Sequence, residues 1–161
     1  QNLHYTEYAK KSIQDLFTKE QINNAMVKLF NFTSSITAIN KGNGNFEVNP
    51  LPQPVQFSSV KSILCTDINK DGFKDIVAGG NEFYFQPQLG RLDANTGQVL
   101  INDGKGNFNL LNFSQTGLNL KGMVRDILII SSKENSNFLF LQNDEVPVLY
   151  QLNTKFIAAK K

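Results

Sequence analysis

The chain has 161 residues, 40% of them hydrophobic and 19% charged, with a formal net charge of +2. That length and balance suit a folded domain with a sizeable core and argue against global disorder. So small a charge makes no nucleic-acid surface, and no apolar run approaches the roughly 20 residues of a membrane-spanning helix.

The chain opens at Gln1 on a polar stretch without a signal-peptide pattern, which does not argue for the cytosol. His4 is the only histidine, so a His-Asp catalytic pair or a His-liganded zinc has almost nothing to build on. Ser12 stands three residues before Asp15, and Thr18 three before Gln21, two capping-box patterns. Ile22, Ala25, Met26 and Leu29 then fall on one helical face. The first thirty-three residues are therefore expected to form a short helix over Ile13–Phe17, a kink and a longer amphipathic helix over Lys19–Leu29, capping the β part that follows.

From Ser34 onward the pattern changes to short runs of Ile, Val, Phe and Leu punctuated by Gly, Asn and Asp. Expected strands are Ser35–Ile39, Asn45–Val48, Val60–Thr66, Asp75–Ala78, Gln98–Ile101, Asn107–Asn112, Val124–Ile130, Phe138–Gln142, Val146–Leu152 and Phe156–Ala158. No helical stretch of convincing length separates them, so antiparallel hairpins and meanders are expected. Cys65, the only cysteine, lies in an apolar run and is expected to be a small buried hydrophobe. Asn40-Lys41-Gly42-Asn43-Gly44-Asn45-Phe46 recurs 62 residues later as Asn102-Asp103-Gly104-Lys105-Gly106-Asn107-Phe108. Each copy is a hairpin turn followed by a return strand, and a repeat of that length built wholly from strands favours a radial array over a simple sandwich.

Chemistry concentrates in Asp67-Ile68-Asn69-Lys70-Asp71-Gly72-Phe73-Lys74-Asp75. Side-chain oxygens at alternate positions of a curled loop point to one centre, while Lys70 and Lys74 point outward. Gly72 permits the sharp turn that brings the Phe73 carbonyl and Asp75 round to the same centre. Asp67, Asn69, Asp71, Phe73 and Asp75 thus make a hard oxygen cage suited to calcium, and less to the stricter octahedron of magnesium. An EF-hand would need a Glu at the twelfth position, where Ala78 stands, and helices where strands are expected. The bland alternative is a polar Asn/Asp turn that holds no metal.

That loop between two strands, with the Asn-Asp-Gly-Lys-Gly-Asn-Phe turn, resembles the FG-GAP/VCBS repeats of integrin-α-like β-propellers. Gly90-Arg91-Leu92-Asp93 and Gly122-Met123-Val124-Arg125-Asp126-Ile127 extend the likeness to the C-terminal part of bacterial VCBS-repeat proteins, over roughly residues 8 to 150. The resemblance implies a mainly β fold of antiparallel propeller-type blades, about two plus part of a third over residues 34–161. It also implies calcium on the five loop positions named above and an extracellular or cell-surface address. Ser131–Asn137 departs from the pattern, so one calcium site is expected. Since a closed propeller needs at least four blades, the remaining blades of a longer chain are expected partners.

Function is expected to be non-catalytic: a metal-binding interaction or scaffolding module for a protein or glycan. Neither a GxSxG, a P-loop, a zinc-protease motif nor a dinucleotide fingerprint occurs. Arg91, Asp93 and Tyr84 are the weaker candidates for a ligand groove, although a local ion pair within Arg91, Asp93 and Asn95 is the plainer expectation. Phe83-Tyr84-Phe85 could stack on sugar, but plugging a blade interface is the expected role. Two alternatives stand beside the module. One is a propeller-fold polysaccharide-processing enzyme with a cleft lined by Arg91, Asp93 or Tyr84; the other is a structural closing piece of a larger propeller.

Overall fold

In the computed structural model, the described residues are 4–86, 90–131 and 136–151. The chain divides into two compact units, Gln1–Thr33 and Ser34–Lys161.

The first unit carries three short helices, α1 (Tyr5–Tyr8), α2 (Ile13–Leu16) and α3 (Lys19–Asn23). Both capping patterns form. The Ser12 backbone N–H and hydroxyl both donate to Asp15 Oδ2, at 2.9 and 2.7 Å. Thr18 N donates to Gln21 Oε1 at 3.0 Å, and Gln21 N returns a bond to Thr18 Oγ1 at 3.2 Å. The expected longer helix does not run to Leu29: α3 stops at Asn23, and Met26, Leu29 and Phe30 are exposed. Two consecutive asparagines favour a helix end over an interior, and so short a helix cannot propagate on propensity alone.

The second unit is mainly β, with three antiparallel sheets. A hairpin comes first, β1 (Ile36–Gly42) with β2 (Asn45–Pro50). After a 3-10 turn at Gln53–Phe57 comes a four-stranded meander in chain order: β3 (Val60–Thr66), β4 (Asp75–Gly80), β5 (Gln98–Asn102) and β6 (Phe108–Leu110). A single helical turn, α4 (Phe113–Thr116), precedes a three-stranded meander of β7 (Val124–Ser131), β8 (Ser136–Gln142) and β9 (Val148–Gln151). Every expected strand with described residues is present; Phe156–Ala158 lies outside them. The expected Asn107–Asn112 strand is shorter because Asn112 turns the chain. Its Oδ1 accepts Gln115 N, and Gln115 Oε1 accepts Asn112 N, both at 3.0 Å, an N-cap that ends extended structure.

Strand β4 is the centre of the unit, buried along its whole length. On one face Val77 joins Ile68, Val99, Leu118 and Leu120 against Val124, Ile127, Phe138 and Phe140 of the three-stranded sheet. On the other, Ile76, Ala78 and Leu100 pack with Val55 of the 3-10 turn, flanked by Leu51, Val60, Phe108 and Leu110. A β-carbon on Gly79 would lie 2.8 Å from a Val124 methyl, so the two sheets approach as closely as they do because position 79 has no side chain. The far face of the three-stranded sheet sets Leu128, Leu139 and Leu149 directly opposite one another. Of these, Leu128 and Leu149 are 44% and 60% exposed.

Candidate metal-binding loop

Thr66 and Asp75 are paired across β3 and β4, so residues 67–74 form a loop whose ends are held in register. Two residues in it, Lys70 (φ +61°) and Gly72 (φ +92°), take left-handed conformations that curl the backbone inward. The curl sets N–H groups against the side-chain oxygens. Asp67 accepts from Asp71 N on Oδ1 at 3.1 Å and from Gly72 N on Oδ2 at 2.9 Å. Asn69 Oδ1 accepts from Asp71 N at 3.1 Å, and Asp71 Oδ1 from Phe73 N at 2.9 Å. Asn69 Nδ2 donates to Asp71 Oδ2 at 2.7 Å. Lys70 and Lys74 are exposed, as are Asp71, Gly72 and Phe73 between them.

Asp75 differs from the other two carboxylates. It is fully buried; Oδ2 accepts Ile68 N at 2.8 Å and Oδ1 accepts Asn102 N at 2.9 Å. None of the three ion pairs among the described residues reaches it. A buried carboxylate held by neutral donors alone is an expensive arrangement unless positive charge lies nearby. In kind, the donor set fits a hard cation, since every side-chain candidate offers oxygen and each carboxylate oxygen keeps a lone pair beyond its N–H partners. Among the described residues, however, no group of three or more His, Cys, Asp or Glu side chains lies close enough together to hold a metal ion.

The second copy of the repeated turn lies beside this loop. Asn102 Nδ2 donates to the Lys74 carbonyl at 3.1 Å, and Asn102 Oδ1 accepts Gly104 N at 3.0 Å and Gly106 N at 3.3 Å. Asp103 Oδ1 accepts Lys105 N at 2.8 Å and Oδ2 accepts Asn107 Nδ2 at 2.7 Å. Chiefly the Asn107 side chain, then these backbone donors, holds the Asp103 carboxyl below its usual range.

Each of the three weaker candidates is exposed. Tyr84 is 68% exposed, and its hydroxyl donates to Asp144 Oδ2 at 2.8 Å, a bond that raises the phenol's pKa. Arg91 lies 3.8 Å over the Phe83 ring, a cation–π contact in place of the expected ion pair, while Asp93 is exposed and enters none of the described ion pairs. In the aromatic run, Tyr84 and Phe85 are both exposed. Cys65 is also exposed, since β3 is an edge strand and alternation turns that residue outward.

Sequence reasoning missed Asn81. It is fully buried with φ +84°, its Oδ1 accepts Ser58 Oγ and Asn95 N at 2.8 and 2.9 Å, and its Nδ2 donates to the Asn95 and Gly122 carbonyls at 2.8 and 3.2 Å. One amide thus ties the end of β4 to the approaches of β3, β5 and β7. Its only sequence signal is an Asn directly after Gly79-Gly80. No protein-family model, curated protein or solved structure matches the chain.

Proposed function

We propose that this chain is a calcium-binding β-propeller repeat module of the FG-GAP/VCBS type, non-catalytic, that presents its loops to a protein or glycan outside the cell. The observation that carries the reading is the Asp67–Asp75 loop. Its oxygen-bearing residues stand at alternate positions, left-handed residues at 70 and 72 curl it, and it closes on a buried carboxylate that enters none of the ion pairs among the described residues. Asp67, Asn69, Asp71, the Phe73 carbonyl and Asp75 are the proposed ligands, drawn together when the ion binds. An in-order antiparallel meander is the form a propeller blade takes, and β3 to β6 followed by β7 to β9 supports the blade reading.

Calcium affinity on the order of 10⁻⁴–10⁻³ M, usual for extracellular modules, would leave the loop empty in the cytosol and filled outside. At 100 times the dissociation constant, binding adds about 2.7 kcal/mol to stability. Thermal melts with calcium and with chelator test this. The expected result is a higher melting temperature with calcium and no such shift in Asp71→Ala, which deletes a central carboxylate. A melting temperature indifferent to both additives would overturn the metal reading.

A further inference from the structure

Each copy of the repeated turn joins two strands, and a third strand that flanks the second copy has no counterpart at the first among the described residues. Across the first hairpin Ala38 faces Val48, Ile39 faces Glu47 and Asn40 faces Phe46. At the matching positions of the second, Leu100 faces Leu110, Ile101 faces Asn109 and Asn102 faces Phe108. Hydrogen bonding keeps the same phase: Leu51 N donates to Ser35 O at 3.0 Å, and Leu111 N to Val99 O at 2.8 Å. In an antiparallel ladder the residues between such bonded pairs turn N–H and C=O to the opposite side. Ile36, Ala38 and Asn40 of β1 thus correspond to Gln98, Leu100 and Asn102 of β5. In β5 these residues meet β4: Leu100 pairs with Ile76, Gln98 with Ala78, and Asn102 N donates to Asp75 Oδ1 at 2.9 Å. Strand β1 pairs only with β2 among the described residues.

From this mismatch we infer that the open edge of β1 accepts a β4-like strand supplied by a partner. That strand runs antiparallel to β1, with a carboxylate opposite Asn40 and apolar residues opposite Ala38 and Ile36. Such pairing needs no metal in the Asp67–Asp75 loop. The edge is held in place at its start: Gln56 Oε1 accepts Ser35 N at 2.7 Å, and Gln56 Nε2 donates to the Ser35 and Leu51 carbonyls at 3.1 and 3.0 Å. Free edges in natural sheets are blunted by proline or charge. Strand β2 carries both, in Pro50 and Glu47, whereas Ile36–Asn40 has neither. Phe46 and Val48 are exposed, although their counterparts Phe108 and Leu110 pack on buried Leu100 beside Ile76 and Ala78. An added strand gains affinity from main-chain hydrogen bonds and specificity from alternate side chains. Here the carboxylate is the specific element. Asn40 Oδ1 accepts Gly42 N at 2.8 Å, as Asn102 Oδ1 accepts Gly104 N at 3.0 Å, so both turns set their first asparagine alike. The Asn40 N–H is therefore presented as the Asn102 N–H is presented to Asp75.

Titration of the isotope-labelled 161-residue chain with an end-capped peptide of the β4 sequence, Lys74–Gly80, tests the edge through amide resonances. The chain's own β4 is held between β3 and β5, which leaves β1 as the matching place for the peptide. Saturable shifts and slower amide exchange are expected at Ile36, Ala38 and Asn40. The same peptide carrying Asp75→Ala is expected to bind about tenfold more weakly, the worth of a hydrogen bond to a charged group. No shift at those three amides with millimolar peptide overturns the acceptor edge, and so do shifts centred on another edge strand. Equal binding by the two peptides overturns the match to the second copy, on which the partner's carboxylate rests. Shifts at the same amides on raising protein concentration alone, with no further change on adding peptide, would give the edge to a second copy of the chain and overturn the β4-like partner.

Discussion

Asn81 shows how much one buried amide can hold. Every polar atom of its side chain is matched, and each partner belongs to a different segment. Asn81→Ala would strand the Asn95 and Gly122 backbone groups in the interior and place alanine at a positive φ, so a loss of about 2–4 kcal/mol is expected in urea unfolding. A variant as stable as the unaltered chain would show that water replaces the amide without cost. Glu82 offers a residue-scale test of pH. Its Oε2 lies 2.9 Å from Lys61 Nζ, and that hydrogen bond, followed by one from Tyr84 N, holds its carboxyl below the usual glutamate range. A carboxylate with a depressed folded-state pKa contributes stability above its unfolded pKa and loses it as pH falls through the folded value. Glu82→Gln should therefore melt below the unaltered chain near neutral pH, with the gap closing below about pH 4.5. A gap that stays constant down to pH 3 would separate the effect from ionisation.

Among the elements, strands obey their sequence signals more closely than helices do. Alternation and β-branched content are satisfied by pairing to a neighbour, and β3, β4, β7 and β8 fall close to where their apolar runs predict. The helix expected to Leu29 has correct caps at its start but ends at Asn23. A start signal is local, whereas propagation needs packing along the whole face. Cap strength is measurable at this scale. Asn112→Ala removes the bond that starts α4 and is expected to cost about 1 kcal/mol in global stability. No change would mean that the buried Thr116 and Leu118 fix the turn without the cap.

Across the whole molecule, the three-stranded sheet has two unlike faces. Phe138 and Phe140 lie in the core shared with Val77 and Val99, whereas Leu128, Leu139 and Leu149 form the opposite face. Phe140→Ala is expected to cost about 3–5 kcal/mol, because it leaves a cavity between sheets. Leu149→Thr, on a strand position that is already wet, should change stability by no more than about 0.5 kcal/mol. Comparable losses from both would mean that the leucine face is covered in solution.

Sequence alone determined what depends on neighbours along the chain: the strands and their antiparallel connections, both N-terminal caps, and the alternating oxygens of Asp67–Asp75 with Gly72 at the bend. These follow from side-chain period, donor spacing and backbone sterics, all of which act over a few residues. Tertiary structure decided what depends on residues far apart in the chain. Strand pairing brought Asn102 to Asp75 across twenty-seven positions and set the second turn, but not the first, against the loop. It also turned Cys65 outward on an edge strand, laid Arg91 on Phe83 instead of a carboxylate, and made Asn81 a buried junction. Which strand is an edge, and which polar group loses its water, is settled only when the sheets pack against each other.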